Sequence, residues 1–116
     1  ERWNLMHPNE KQKRSHVEIC LSKNSVPTVA VSDYVKMVSE QISPYVSGPY
    51  YALGTDGFGR SETRDALRRF FEVDRYYIVL TAIRALANEN KIEMGMVEKV
   101  MEKYSLDPEK PSPVNV

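Results

Sequence analysis

Tyr50-Tyr51-Ala52-Leu53-Gly54-Thr55-Asp56-Gly57-Phe58-Gly59-Arg60-Ser61 is the stretch on which the fold turns. Its first five residues, 50–54, read as a short strand of the buried type, covered on both faces. A glycine-studded loop follows. Residues 62–71 then read as a helix, with Ser61 as its natural N-cap. Strand, glycine-rich turn and helix N-terminus is the arrangement with which α/β proteins hold anions, because backbone N–H groups and the helix dipole both favour negative charge. Arg60, Arg64 and Arg68 fall at i, i+4 and i+8 and offer bidentate phosphate contacts. The glycines read G-x-x-G-x-G, however, which is neither the dinucleotide nor the P-loop spacing. A second reading stands beside the first: the glycines permit a positive-φ turn and close packing, while Glu62 and Asp65 balance the arginines. Gly54, Asp56, Gly57, Phe58, Gly59, Arg60, Ser61 and Arg64 are therefore candidates for an interface or an anion-binding loop.

Upstream, residues 28–32 form a second β-branched, unalternating run between Pro27 and Asp33. Ser32 or Asp33 is expected to cap a helix with the apolar stripe Tyr34, Met37, Val38, Ile42 and Tyr45, stopped by Pro44. Before this run the chain is irregular. His7-Pro8-Asn9-Glu10 reads as a turn, and Lys11, Lys13 and Arg14 as a solvated basic connection. Val17, Cys20 and Leu21 favour a short helix over 16–21, although alternation fits a strand nearly as well.

Downstream, Asp74 is expected to cap the longest helix, 75–88, with Tyr76, Val79, Leu80, Ile83, Leu86 and Ala87 on one face. A last helix, 94–104, should bury Val97, Val100, Met101 and Tyr104. Pro108, Pro111 and Pro113 then give an extended tail. The organisation is an irregular lead-in with a short helix (1–27), an α/β domain (28–104) and a tail (105–116). Two short strands do not make a stable sheet alone, so this domain should be completed by residues outside the 116. The start Glu1-Arg2-Trp3-Asn4, without an initiator methionine, agrees: a removed leader or a segment of a longer protein is expected.

Composition narrows the function classes. The chain has 116 residues, enough for a single core, with 16 Lys+Arg against 16 Asp+Glu and no net charge. Nucleic-acid affinity needs surplus cations, and there are none. Hydrophobic residues make up 41%, which with 5 glycines comes to about 45%, ordinary globular usage rather than disorder. No apolar run is long enough to span a bilayer, and no signal segment opens the chain. A single cysteine, Cys20, excludes an internal disulfide and suits a reducing compartment.

No residue cluster amounts to an active site. His16 and Cys20 share a helix face but lack a second ligand pair, so a buried thiol beside a surface histidine is expected, with no metal site. Glu72 and Asp74 are explained by pairing with Arg68 or Arg75 and by helix capping. No G-x-S-x-G occurs. The pairs Tyr50-Tyr51 and Tyr76-Tyr77 suit packing better than base stacking in a neutral chain. A stand-alone phosphate- or nucleotide-binding module built on the 54–61 loop remains the alternative to a packing domain.

The string Gly54-Thr-Asp-Gly-Phe-Gly-Arg-Ser61, with Thr63-Arg64, Leu67-Arg68 and Phe71-Glu72-Val73-Asp74, closely resembles the C-terminal domain of the homodimeric, bacterial-type pyruvate dehydrogenase family. Glu1-Arg2-Trp3-Asn4, His7-Pro8, residues 30–36 and Leu106-Asp107-Pro108 resemble the same domain. Asp56-x-Phe58-Gly59-x-Ser61 more distantly resembles transketolase C-terminal domains. The resemblance implies a three-layer α/β domain with a mostly parallel sheet whose first elements precede Glu1. It implies thiamine diphosphate and magnesium in the parent enzyme, held in earlier domains by Gly-Asp-Gly and a later Asn-Asn, whereas this chain has Thr55-Asp56-Gly57 and no Asn-Asn. It also implies a cytoplasmic homodimer working with a dihydrolipoyl acetyltransferase, in which this domain braces and packs and is inactive alone. The family pattern carries a histidine just before Phe-Glu-Val-Asp, where this chain has Phe70.

Overall fold

The computed structural model describes residues 1–21, 26–57 and 63–115. Among these residues six helices and two strands run in the order α1 (Arg2–Met6), α2 (His16–Leu21), β1 (Thr28–Val31), α3 (Lys36–Glu40), β2 (Tyr50–Leu53), α4 (Arg64–Phe70), α5 (Arg75–Asn88) and α6 (Gly95–Lys103), with 3-10 turns at Ser43–Tyr45 and Pro113–Asn115. The two β-branched and aromatic runs pair in parallel, Thr28 opposite Tyr50 and Val31 opposite Leu53, with α3 in the crossover. This is a mixed α/β fold, as expected. Both strands are half-buried rather than covered on both faces, and Val31 is exposed.

The core lies around α5, α6 and the segment after them: Val73, Tyr77, Ala85, Ala87, Val97 and Leu106 are buried. On α5 the inward face differs from the expected one, since Tyr77 is buried while Val79 is exposed. The helix packs on both β1 and α6, so its buried surface is broader than a single stripe. On α6 the apolar face is Val97, Val100, Met101 and Tyr104, with Glu98, Lys99, Glu102 and Lys103 outward.

Three helices end without glycine in the left-handed turn that closes them. Glu72 (φ 61), Asn90 (φ 60) and Ser105 (φ 52) follow α4, α5 and α6. In each case the next residue's amide reaches back to the helix: Val73 to Arg68 O, Lys91 to Leu86 O and Leu106 to Met101 O. Val73 and Leu106 sit at those positions and are buried, so two of these turns aim an apolar anchor into the core.

The remaining half is open. The radius of gyration is 17.5 Å, against about 13 Å for a compact domain of this length. Tyr34, Met37, Val38 and Ile42, the stripe expected to be buried, are exposed, as are Leu5, Ile19 and Leu21. The helix carrying the stripe is also shorter than expected, stopping at Glu40 before the 3-10 turn around Pro44. The irregular lead-in proves to hold α1, fastened by side chains. Trp3 stacks on His7 at 4.2 Å, Lys13 Nζ lies 4.0 Å over the Trp3 ring, and Asn4 exchanges two hydrogen bonds with the Lys13 backbone.

The tail is the largest departure from expectation. Residues 106–114 fold back onto the α4–α5 corner instead of extending away. Leu106 is buried, Lys110 Nζ donates to Phe70 O at 2.9 Å and pairs with Glu72 Oε1 at 3.1 Å, and Pro113 is buried. Glu72 is thus paired with Lys110 rather than with Arg68 or Arg75.

Candidate functional site

Ligands of parallel α/β sheets bind beyond the C-terminal ends of the strands, so the turns after β1 and β2 are the place to look. These turns are fastened to one another. Ser32 N donates to Leu53 O at 3.0 Å, Thr55 N to Tyr34 O at 2.9 Å, and Thr55 Oγ1 to Asp33 O at 2.6 Å. Asp56 Oδ1 accepts from Lys36 N at 2.8 Å. Lys36 is the first residue of α3, so Asp56 caps that helix from 20 residues away.

The cap was expected at Ser32 or Asp33, and the structure corrects this. The chain stays extended through Val35 (ψ 149), which occupies the N-cap position without a side-chain acceptor. Asp33 lies a further two residues upstream with its side chain exposed. Asp74 is the N-cap of α5, accepting from Tyr77 N at 3.1 Å. For α4 the cap is Thr63, whose side chain accepts from Ala66 N. Ser61, proposed for that role, lies outside the described residues, as do Phe58, Gly59, Arg60 and Glu62.

Gly54 is buried where β2 ends, and a β-carbon there would meet Tyr34 O at 2.6 Å and Lys36 N at 2.7 Å. The glycine is needed for close backbone approach rather than for a ligand. Gly57 has φ +117 and faces the carbonyl of Pro113, 2.6 Å from where a β-carbon would stand. Arg64 is exposed at the start of α4.

Beside the end of β1 a cleft of about 660 Å³ opens toward the α4–α5 corner. Its charged lining is balanced, with Asp33, Asp65 and Asp74 against Arg68, Arg69 and Arg75. Two of the arginines are engaged in structure. Arg69 donates to Tyr104 O at 3.2 Å and lies 3.7 Å from Asp74, and Arg75 donates to Tyr76 Oη at 2.7 Å.

Elsewhere, Cys20 Sγ stands 3.4 Å from His16 Nε2, but both residues are exposed, so the expected burial of the thiol is not found. The turn of helix that carries them is too short to bury either. A local signal was overlooked just before it. Ser15 Oγ accepts from Glu18 N while Glu18 Oε2 accepts from Ser15 N at 2.6 Å, a reciprocal cap written in the sequence as Ser-x-x-Glu. The Ser15 amide holds the Glu18 carboxyl below its ordinary range.

Among the described residues no cluster of three or more His, Cys, Asp or Glu could hold a metal ion. Asp56, the one carboxylate of Thr55-Asp56-Gly57, is turned onto a helix amide. These residues do not fit a magnesium–diphosphate group. The junction is built to join two turns, and its acceptors and donors face each other.

Residues 3–74, more than half of the chain, match the family described as the transketolase-like TK C-terminal domain. The chain belongs to that family. It is also similar along its length to proteins named pyruvate dehydrogenase E1 component. The one from Cupriavidus necator is 51% identical over 116 residues, all of this chain and 13% of the relative. That from Pseudomonas aeruginosa is 50% identical over 99% of this chain and 13% of the relative. That from Escherichia coli is 40% identical over 97% and 13%. This transketolase C-terminal-like chain therefore spans about an eighth of the length of those relatives. No helix among its described residues is long and apolar enough to cross a membrane.

Proposed function

We propose that this chain is the C-terminal packing and assembly domain of a pyruvate dehydrogenase, and that it performs no chemistry by itself. The parent would decarboxylate pyruvate with thiamine diphosphate and magnesium bound in its other domains, and pass the acetyl group to lipoyl groups of a dihydrolipoyl acetyltransferase. Its natural setting would be a cytoplasmic homodimer. The missing layers of a three-layer sheet would come from the rest of the subunit, covering the apolar side chains of α3 that stand exposed here.

The observation that carries this reading is the closed junction at the strand ends. Among the described residues, the amides at the strand ends that a ligand-binding domain would present free are bonded, Thr55 N to Tyr34 O and Lys36 N to Asp56 Oδ1. Similarity to pyruvate dehydrogenase E1 components over all of the chain supports the identity of the parent.

The test is Gly57→Val in the full-length enzyme. Valine disfavours φ +117 and collides with Pro113 O, so the junction is disturbed. Subunit dissociation at higher protein concentration, with an unchanged pyruvate KM for the assembled fraction, is the expected result. An intact dimer with selective loss of pyruvate binding would defeat the proposal.

A further inference from the structure

In the cleft beside β1, Arg69 and Arg75 are bonded and Arg68 is not. Arg69 is tied to Tyr104 O and Asp74. Arg75 donates to Tyr76 Oη; that hydroxyl, and then the charges of Asp65 and Asp74, hold its guanidinium above the ordinary value. Arg68 stands in the last turn of α4, where its carbonyl accepts from Val73 N at 3.0 Å. Glu72, the carboxylate four residues on, pairs with Lys110 instead. The Arg68 side chain makes no hydrogen bond or ion pair with any described residue.

The helix dipole favours a cation in this turn, but a solvated one would serve that purpose as well. Arg68 is instead half-buried, in a cleft of about 660 Å³ that it lines together with Val31, Val73 and Ile78. Val73 is buried and Ile78 half-buried, while Val31 presents exposed apolar surface at the end of β1. A guanidinium withdrawn from water beside apolar walls is matched by a carboxylate, which meets its planar fork with two parallel bonds. The cleft's own carboxylates do not do this. Asp74 is committed to Tyr77 N and Arg69, Asp65 acts on Arg75, and Asp33 is exposed to water.

We infer that Arg68 receives a carboxylate from a segment of the same subunit outside this chain, seated in the cleft with an apolar side chain against Val31. The inference rests on the reading of this chain as one domain of a larger subunit. The chain covers 13% of the relatives it matches along its length, so most of such a polypeptide lies outside the 116 residues. The lining as a whole carries three carboxylates against three guanidinium groups and does not draw a free anion from solution. A tethered carboxylate needs no such field, because the connecting chain holds it at a high effective concentration, and one open guanidinium is enough to receive it.

Photo-cross-linking in the full-length enzyme tests this, with Arg68→p-benzoylphenylalanine in the cleft and Met37→p-benzoylphenylalanine on exposed α3 as control. The expected product at position 68 is a cross-link within one subunit to a peptide outside the 116 residues that carries Asp or Glu. Arg68→Glu should then speed release of the domain by limited proteolysis by about tenfold or more, as loss of a charge-assisted bond implies. Arg68→Lys, which keeps the charge without the fork, should fall between, and arginine placed at the cross-linked acidic position should rescue Arg68→Glu. A cross-link into the second subunit, to a segment without an acidic residue, or only within the 116 residues overturns the inference. An unchanged release rate in Arg68→Glu overturns it as well. Cross-links from position 37 with none from position 68 defeat it while leaving the domain reading standing, and none from either position removes both.

Discussion

Asp56 Oδ1 lies 2.8 Å from Lys36 N, so the turn that follows one strand caps the helix that follows the other. The bond ties two crossover turns into one unit at the edge of the sheet. An N-cap acceptor replaced by alanine costs about 1 kcal/mol. Asp56→Ala should lower the unfolding free energy by that amount, read as a lower urea midpoint at unchanged m, and Asp56→Asn should retain most of the stability because the amide oxygen still accepts. Equal losses in the two variants would show that the hydrogen bond is not what matters there.

Gly54→Ala tests the tightness of the same unit. The turn after β1 is backbone at 2.6 and 2.7 Å from the new methyl carbon, and backbone cannot rotate away as a side chain would. Overpacking of this kind costs about 1–3 kcal/mol. Thermal melts should show a clear loss, accompanied by weaker exchange protection at Thr55, whose amide bonds Tyr34 O across this contact. A neutral substitution would mean that the two turns separate without cost.

What the sequence made legible was local. Helix α5 starts and stops where Asp74 and the Asn88-Glu89-Asn90 run imply, and both strands fall on their β-branched or aromatic runs. Capping box Ser15–Glu18 was equally local and simply overlooked. The long-range parts left no such mark. Nothing near Lys36 says that its amide is met from position 56, and nothing near Phe70 announces Lys110, 40 residues on. Periodicity identified the stripe Tyr34, Met37, Val38 and Ile42 as a face, but a period carries no information on what covers it. Helix α1 was missed for the opposite reason: it buries no residue and has no apolar stripe, being held by the Trp3–His7 stack and the Asn4–Lys13 pair.

Ser105→Gly should stabilise the chain. Serine at φ 52 occupies the left-handed region in which a β-carbon is unfavourable, while the closing bonds of this turn are all made by backbone. Glycine removes that strain but adds unfolded-state freedom, and a net gain of roughly 0.5 kcal/mol is expected. The midpoint of denaturant unfolding reads the difference. A loss of stability would mean that the serine side chain contributes more than the strain it brings.

Alkaline pH should weaken the fold through Tyr77. Burial pushes its phenol above the ordinary value of 10.0, and the nearby Glu72 carboxylate adds to the shift while Arg69 opposes it. The ionised form is thus disfavoured in the folded chain relative to the unfolded one. By linkage, the contribution of neutral Tyr77 is complete below the unfolded value and is lost as pH rises through the raised folded value. Tyr50 acts in the same direction, its phenol raised by burial and then by Glu40, while its hydroxyl donates to Ser39 O at 2.6 Å. Lysine deprotonation over the same range affects parent and variant alike and cancels in their difference. Comparing Tm of the parent and Tyr77→Phe from pH 8 upward isolates the tyrosine, because phenylalanine keeps the ring and cannot ionise. The two curves should keep a constant separation up to about pH 10 and then draw together, the parent falling faster. Curves that stay parallel to pH 11 would show that Tyr77 titrates alike in both states.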